Sequence, residues 1–268
     1  MKCFKKVFIV ITSILFMGLI FASKIRVKSI TMKLHSQDYY LKIHNKGIIL
    51  LNNKEDEIAR YNLKEIIKDY SLGDVDGDNL EELVLLTKKE FRKYGDKVII
   101  FSLKDGIKEE YQEDFSRLKP WKLALGDIDG DGKDEVSIGV YKKTRFHQLM
   151  AKRPFIYSYE NNRLQPKWRG SRLSKPFSDY GFYDIDGDGI DEIISIEILE
   201  DNKKVINTYK WEGFGFEGFL ESKSFKDIKD LKVEDGSLYV KFKEKRGACL
   251  GKVKMKDDKL IIERVNIR

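Results

Sequence analysis

The amino-acid sequence predicts an all-β fold, a β-propeller of about five four-stranded blades, on three observations. Short runs alternating apolar and polar residues recur at intervals of roughly 8 to 12 residues, bounded by Gly, Asn and Asp turns. An acidic, glycine-bearing stretch occurs three times, as SLGDVDGDNLEELVLLT (71–87), ALGDIDGDGKDEVSIGV (124–140) and GFYDIDGDGIDEIISIEI (181–198). The first aspartates of the three, Asp74, Asp127 and Asp184, lie 53 and 57 residues apart. A unit of roughly 50 residues holding four strands has the size of one propeller blade.

The chain has 268 residues, enough for one large β domain or two small ones, and only four prolines interrupt it. Residues 1–23 stand apart. Lys2, Lys5 and Lys6 precede VFIVITSILFMGLIFA (7–22), sixteen residues without a charge. A positive stretch followed by an apolar run reads as an uncleaved signal anchor, with a cleaved signal peptide as the other reading. Ile20 stands where a cleavage site wants a small residue, and Cys3 precedes the apolar run, so it is no lipobox cysteine. Either reading exports residues 24–268. The expected location is the cell membrane with the domain facing outside, or the medium if the signal is cleaved. Cys3 and Cys249 would then lie on opposite sides of the membrane, leaving no internal disulfide. Cys249, in ACLGKVKM, reads as a buried small hydrophobe.

The blades follow in order as 25–62, 63–117, 118–172, 173–222 and 223–268. The first and last offer four short strands each and no acidic loop. In each of the middle three, an apolar or aromatic strand leads into the acidic loop (DYSLG, WKLALG, FSDYGFY). An apolar strand leaves it (ELVLLT, EVSIGVY, EIISIEI), and KVIIFSL, PFIYSYE or KVINTYKWE comes next. LKEIIKDY (63–70) is the best helical candidate after residue 23 and reads equally as a loop and a strand. An incomplete ring that needs a partner is the structural alternative to a closed one.

Each acidic loop reads as a ligand set. Counting the first Asp as position 1, positions 1, 3, 5 and 9 carry carboxylates. They are Asp74, Asp76, Asp78 and Glu82 in the first loop, Asp127, Asp129, Asp131 and Glu135 in the second, and Asp184, Asp186, Asp188 and Glu192 in the third. Position 7 (Leu80, Lys133, Ile190) can offer its carbonyl. Position 4 is glycine throughout, and position 6 is Asn79, Gly132 or Gly189, residues that tolerate positive φ. The apolar position 2 (Val75, Ile128, Ile185) can anchor the loop. Carboxylates this close repel one another unless a cation joins them. Calcium suits the set, because it takes roughly six to eight oxygens in flexible geometry, whereas magnesium demands a strict octahedron. No His or Cys stands near, which argues against zinc and copper. Solvated acidic turns without metal are the plainer alternative. An EF-hand is excluded, because position 12 is Leu85, Ile138 or Ser195 inside a predicted strand instead of a bidentate Glu.

The pattern D-x-D-G-D-G-x-x-E, flanked by strands at blade spacing, resembles the FG-GAP/VCBS repeats of integrin-type β-propellers. The resemblance covers roughly residues 63–222. It implies that each loop joins the first two strands of a blade and holds one Ca²⁺, about three ions in all, with the residues above as ligands. Glu at position 9 and Asn79 at position 6 depart from the commoner pattern without removing an oxygen ligand.

The resemblance implies no reaction. Carboxylates saturated by a cation are poor acids or bases, so the loops read as structural. The formal net charge is +7 while the acids are concentrated in three loops. The remaining surface is therefore strongly basic, most densely at KKTRFHQLMAKR (142–153) and PKWRGSRLSKPF (166–177). The expected role is a non-catalytic interaction module for a protein or an anionic cell-surface polymer, attached to the membrane through the N-terminal segment, without nucleic acid. The alternative is a lyase or hydrolase on an acidic glycan, using Arg145 and His147. No G-x-S-x-G, H-E-x-x-H or phosphate loop is present.

Overall fold

A computed structural model describes residues 27–34, 37–244 and 247–265. Within them the chain forms twenty strands in five four-stranded antiparallel sheets, each in chain order. Blade 1 holds β1 (Lys28–Leu34), β2 (Gln37–His44), β3 (Gly47–Leu51) and β4 (Glu57–Asn62). Blade 2 holds β5 (Ile66–Gly73), β6 (Glu82–Lys88), β7 (Lys97–Ser102) and β8 (Lys108–Asp114). Blade 3 holds β9 (Lys122–Gly126), β10 (Glu135–Thr144), β11 (His147–Glu160) and β12 (Arg163–Trp168). Blade 4 holds β13 (Phe177–Tyr183), β14 (Glu192–Ile198), β15 (Lys204–Trp211) and β16 (Phe216–Glu221). Blade 5 holds β17 (Ile228–Glu234), β18 (Ser237–Glu244), β19 (Gly247–Lys256) and β20 (Lys259–Val265). This is a five-bladed β-propeller, and each blade falls inside the boundaries the sequence predicts. LKEIIKDY resolves as the start of β5, and the only helical turn among the described residues is a 3₁₀ turn at Ser116–Leu118. The signal or anchor segment 1–23, with Cys3, lies outside the described residues. No described helix is long and apolar enough to cross a membrane.

Burial explains why some strands alternate and others do not. A blade between two others buries both faces, and its second strand becomes a continuous apolar run. In β6, Leu83 and Leu85 pack with Leu41, Ile43, Ile48 and Leu50 of blade 1. Their neighbours Val84 and Leu86 pack with Val136, Ile138 and Val140 of blade 3. In β14, Ile193 packs toward Ala124 and Ile156 of blade 3. Ile194 and Ile196 pack toward Leu238, Val240 and Phe242 of blade 5. Four apolar clusters thus join blades 1 to 2, 2 to 3, 3 to 4 and 4 to 5. Among the described residues no such cluster joins blade 5 to blade 1. Strand β18 accordingly alternates, with Leu238, Val240 and Phe242 buried while Lys241 and Lys243 are exposed. Cys249 is a free cysteine buried in the blade 4–5 cluster, the small hydrophobe the sequence predicts.

The blades share one direction. The turn or hairpin between second and third strands always abuts the start of the next blade's first strand. Asn45 O accepts from Ile67 N–H at 2.7 Å, and Pro120 O from Gly95 N–H at 2.6 Å. Lys152 Nζ donates to Ser178 O, and Lys204 Nζ to Ile228 O at 2.9 Å. All the acidic loops therefore lie on one face, and the second-to-third hairpins on the opposite face, where β1 also begins.

Candidate metal centres

The three acidic loops join β5 to β6, β9 to β10 and β13 to β14, the first two strands of their blades. Their position-2 residues are the anchors: Val75 and Ile128 are fully buried and Ile185 nearly so. Position 4 is left-handed in each loop (Gly77, Gly130, Gly187), and position 6 is too, at φ 65° for Asn79, 85° for Gly132 and 87° for Gly189. Asn takes this conformation more readily than other side-chain-bearing residues, so the Asn79 departure leaves the backbone path intact.

One hydrogen-bond scaffold recurs in all three. The Oδ1 of the position-1 Asp accepts from the position-4 amide at 2.7 Å in Asp74 and Asp127 and 2.6 Å in Asp184. Its Oδ2 accepts from the position-6 amide at 2.7, 2.9 and 3.0 Å. The position-5 Asp (Asp78, Asp131, Asp188) accepts from the amide of Leu80, Lys133 or Ile190, each at 2.9 Å. The position-9 Glu reaches back to the position-2 amide, from Glu82 to Val75 at 3.1 Å, Glu135 to Ile128 at 3.2 Å and Glu192 to Ile185 at 2.9 Å. These amides orient the carboxylates without neutralising them.

The carboxylates converge. Asp74, Asp76 and Asp78 place one oxygen each within 4.8 Å of one another, as do Asp127, Asp129 and Glu135, and Asp184, Asp186 and Glu192. Glu82 stands outside the first group, and Asp131 and Asp188 outside the second and third. The glutamates are buried, and desolvation first, with nearby acids, pushes their carboxyls up, Glu82 to about 8 and Glu135 and Glu192 to about 7. All the side-chain donors are hard oxygens, and one of them, Asp186 Oδ1, is buried without a hydrogen-bond partner. These residues fit a hard divalent cation.

Three features escape sequence reading. A lysine reaches each loop. Lys104 meets Asp78 at 3.1 Å, and Lys167 meets Asp129 and, at 2.7 Å, Glu135. Lys210 meets Asp186 at 2.6 Å, Asp188 at 2.8 Å and Glu192 at 3.5 Å. These lysines come from the segment after β7, from β12 and from β15, so no constant spacing from the loops betrays them. The loops also touch one another. The amide of Asp134 donates to Asp74 O and that of Asp191 to Asp127 O, both at 2.7 Å. Lys133 lies across Gly77, where an added Cβ would meet its Cε at 2.6 Å, and Ile190 lies across Gly130 in the same way, at 3.1 Å. Finally, a cavity of about 490 Å³ opens between the second and third loops, lined by Asp129, Lys167, Asp188, Glu192 and Lys210.

Arg145 and His147, the residues the alternative enzyme reading would use, make separate contacts. His147 Nδ1 stands 3.0 Å from Arg153 Nη2, while Arg145 lies over the Phe146 ring. The most buried carboxylate outside the loops, Glu197, accepts from Tyr209 at 2.5 Å, Asn207 at 3.1 Å and Ser195 at 3.2 Å, a satisfied core group and not a poised base. No protein-family profile matches the chain, and no curated protein matches it.

Proposed function

We propose that this protein is an exported, membrane-anchored, calcium-binding β-propeller, akin to the FG-GAP/VCBS repeats of integrin-type propellers. It acts as a non-catalytic interaction module for a protein or an anionic surface polymer. The observation that carries this reading is the threefold convergence of carboxylates within 4.8 Å on one repeated amide scaffold. Asp74, Asp76, Asp78 and Glu82, Asp127, Asp129, Asp131 and Glu135, and Asp184, Asp186, Asp188 and Glu192 supply carboxylate oxygens, and Leu80, Lys133 and Ile190 supply carbonyls. Calcium in these loops ties the first two strands of a blade together and, through the Asp134 and Asp191 amides, fixes one blade to the next. Such loops fill where calcium is plentiful, which agrees with export of residues 24–268 behind the N-terminal segment.

The test is stoichiometry. Isothermal titration of the purified, chelator-stripped chain with calcium should give about three ions per chain, and D74A, D127A and D184A should each remove one. A chain that binds none overturns the reading. Protease added to intact cells should digest the domain if it faces outward and spare it if it does not.

A further inference from the structure

The two faces of the propeller differ in chemistry. One carries the acidic loops. The other, where each first strand begins, carries the β10–β11 hairpin tip and the β6–β7 loop. Residues 142–153 of that hairpin hold five basic side chains and no acid. At its tip Phe146 is 84% exposed and Leu149 66%, and Phe91 in the neighbouring loop is 98% exposed. The two protrusions are braced together by stacked Tyr94 and Tyr141, 5.8 Å between centroids. Below the tip Arg153 is fully buried, held by the carbonyls of Lys142, His147 and Leu149, with Nη1 unpartnered and no carboxylate bonded to it among the described residues. A cavity of about 460 Å³ beside it is lined by Lys142, Lys143, Arg145, Arg169 and Phe155, again with no carboxylate.

We propose that this basic face rests on a bilayer containing anionic phospholipid. Phe146, Leu149 and Phe91 enter the headgroup layer, and Lys142, Lys143, Arg145 and Arg169 meet the lipid phosphates. Apolar side chains at convex loop tips, ringed by cations, match an interfacial anchor better than the continuous apolar centre of a protein–protein interface. The acidic loops face the other way; on this face exposed Glu90 sits among exposed Lys89, Arg92 and Lys93, and Glu200 and Asp201 share the β14–β15 turn with Lys203, which meets Asp201 at 2.6 Å. The chain itself sets the distance. Its described part begins at Val27 on this same face, and the uncharged run ends at Ala22. Five residue steps span at most about 18 Å. A domain held that close to its membrane attachment meets lipid on this face first. The inference rests on the anchored reading for that tether alone, and not on calcium.

The full chain, reconstituted by detergent removal, tests it. Phe146→Trp and, on the acidic face, Phe214→Trp are compared with the parent chain in vesicles of phosphatidylcholine alone and of phosphatidylcholine with phosphatidylglycerol, both with brominated acyl chains. Both replaced residues are exposed aromatics, and circular dichroism checks the fold. Flotation with either vesicle reports anchoring separately. The added indole of F146W should be quenched in the anionic vesicles, and that of F214W should not. The triple change K142Q/K143Q/R145Q should lower the docking equilibrium about a hundredfold, about fivefold for each charge near the surface. Equal quenching in F146W and F214W, in chains that float, overturns the docking face while leaving the anchor intact. Quenching in F146W that is equal in neutral vesicles removes the anionic lipid. An emission shift in F146W with soluble polyphosphate but not with vesicles makes the face a polymer site and overturns the membrane proposal.

Discussion

The amide of Asp134 donates to the carbonyl of Asp74 across the boundary between blades 2 and 3, at 2.7 Å, and Asp191 repeats the contact onto Asp127. The position-8 residue of one acidic loop thus holds the position-1 residue of the loop before it. A cation that fixes Asp127 therefore also fixes Asp134, seven residues along the same loop, and with it the backbone of Asp74. D74A and D127A should be energetically coupled, with a double-mutant interaction of roughly 0.5 kcal/mol or more in calcium. D74A and D184A, in loops that do not touch, should add to within roughly 0.5 kcal/mol. Chemical denaturation of the single and double mutants checks both.

The same contact explains the glycines before the first two loops. A Cβ on Gly73 would stand 2.0 Å from Asp134 Oδ2, and one on Gly126 would stand 2.4 Å from Phe182 Cβ. The carboxylate tip can swing aside, whereas Phe182 Cβ is fixed to the backbone of β13. Gly126→Ala should cost about 1–3 kcal/mol, in the range of overpacking, and Gly73→Ala less. Gly181→Ala is the control, since its Cβ would meet Leu231 at an ordinary 3.5 Å. Urea midpoints should fall in the order Gly126, Gly73, Gly181, from the largest loss to the smallest.

Lys210 bonds Asp186, Asp188 and Glu192, the carboxylates that the proposed third site would offer a cation, so the two are expected to compete. Lys210→Met keeps an unbranched apolar stem of nearly the same reach and removes the ammonium. It should tighten calcium binding at the third loop while lowering the melting temperature in chelator. Weaker calcium binding in this variant would mean that the lysine supports the site instead of competing for it.

Stability should depend on pH in opposite ways with and without calcium. Desolvation chiefly raises Glu82 to about 8 and Glu135 and Glu192 to about 7. A carboxyl whose pKa is higher folded than unfolded binds more protons in the folded state. Its stabilising effect is full below the unfolded value, near 4.5, and is lost as pH rises through the folded value. In chelator the melting temperature should therefore fall between about pH 5 and pH 8. With calcium the ionised carboxylates are the binding form, and the fall should disappear or reverse. Parallel melts across that range read the sign directly.

Much of this was legible in the residues, for physical reasons that can be named. The blade order follows from three acidic loops at near-constant spacing and from strands whose period is two. The uninterrupted run ELVLLT against the alternation of SLYVKFKE even distinguishes a blade packed on both sides from one packed on a single side. The loop geometry was legible because Asp, Gly and Asn each have a strong local preference in tight turns. What stayed hidden depends on contacts between blades. Lys104, Lys167 and Lys210 arrive from three different places in their blades, and the Asp134 contact with Asp74 joins residues 60 apart in sequence. Arg145 and His147 stand two apart in the chain, yet the imidazole sits against Arg153, six residues further along β11, a contact that neighbouring positions do not reveal. The one sequence hint of the blade contacts is that Gly precedes Asp74 and Asp127 while Tyr183 precedes Asp184. No acidic loop follows in blade 5, so Tyr183 has room and donates to Gly236 O at 3.1 Å.

The most direct test of the proposed calcium binding is thermal unfolding of the purified protein in calcium, in magnesium and in chelator. A cation bound only by the folded chain raises the midpoint as its concentration rises, with three sites adding their effects. The midpoint should climb steadily with calcium, respond weakly to magnesium, and lose part of its climb in D127A and D184A. A melting curve that is the same in calcium and in chelator would contradict the metal-stapled propeller.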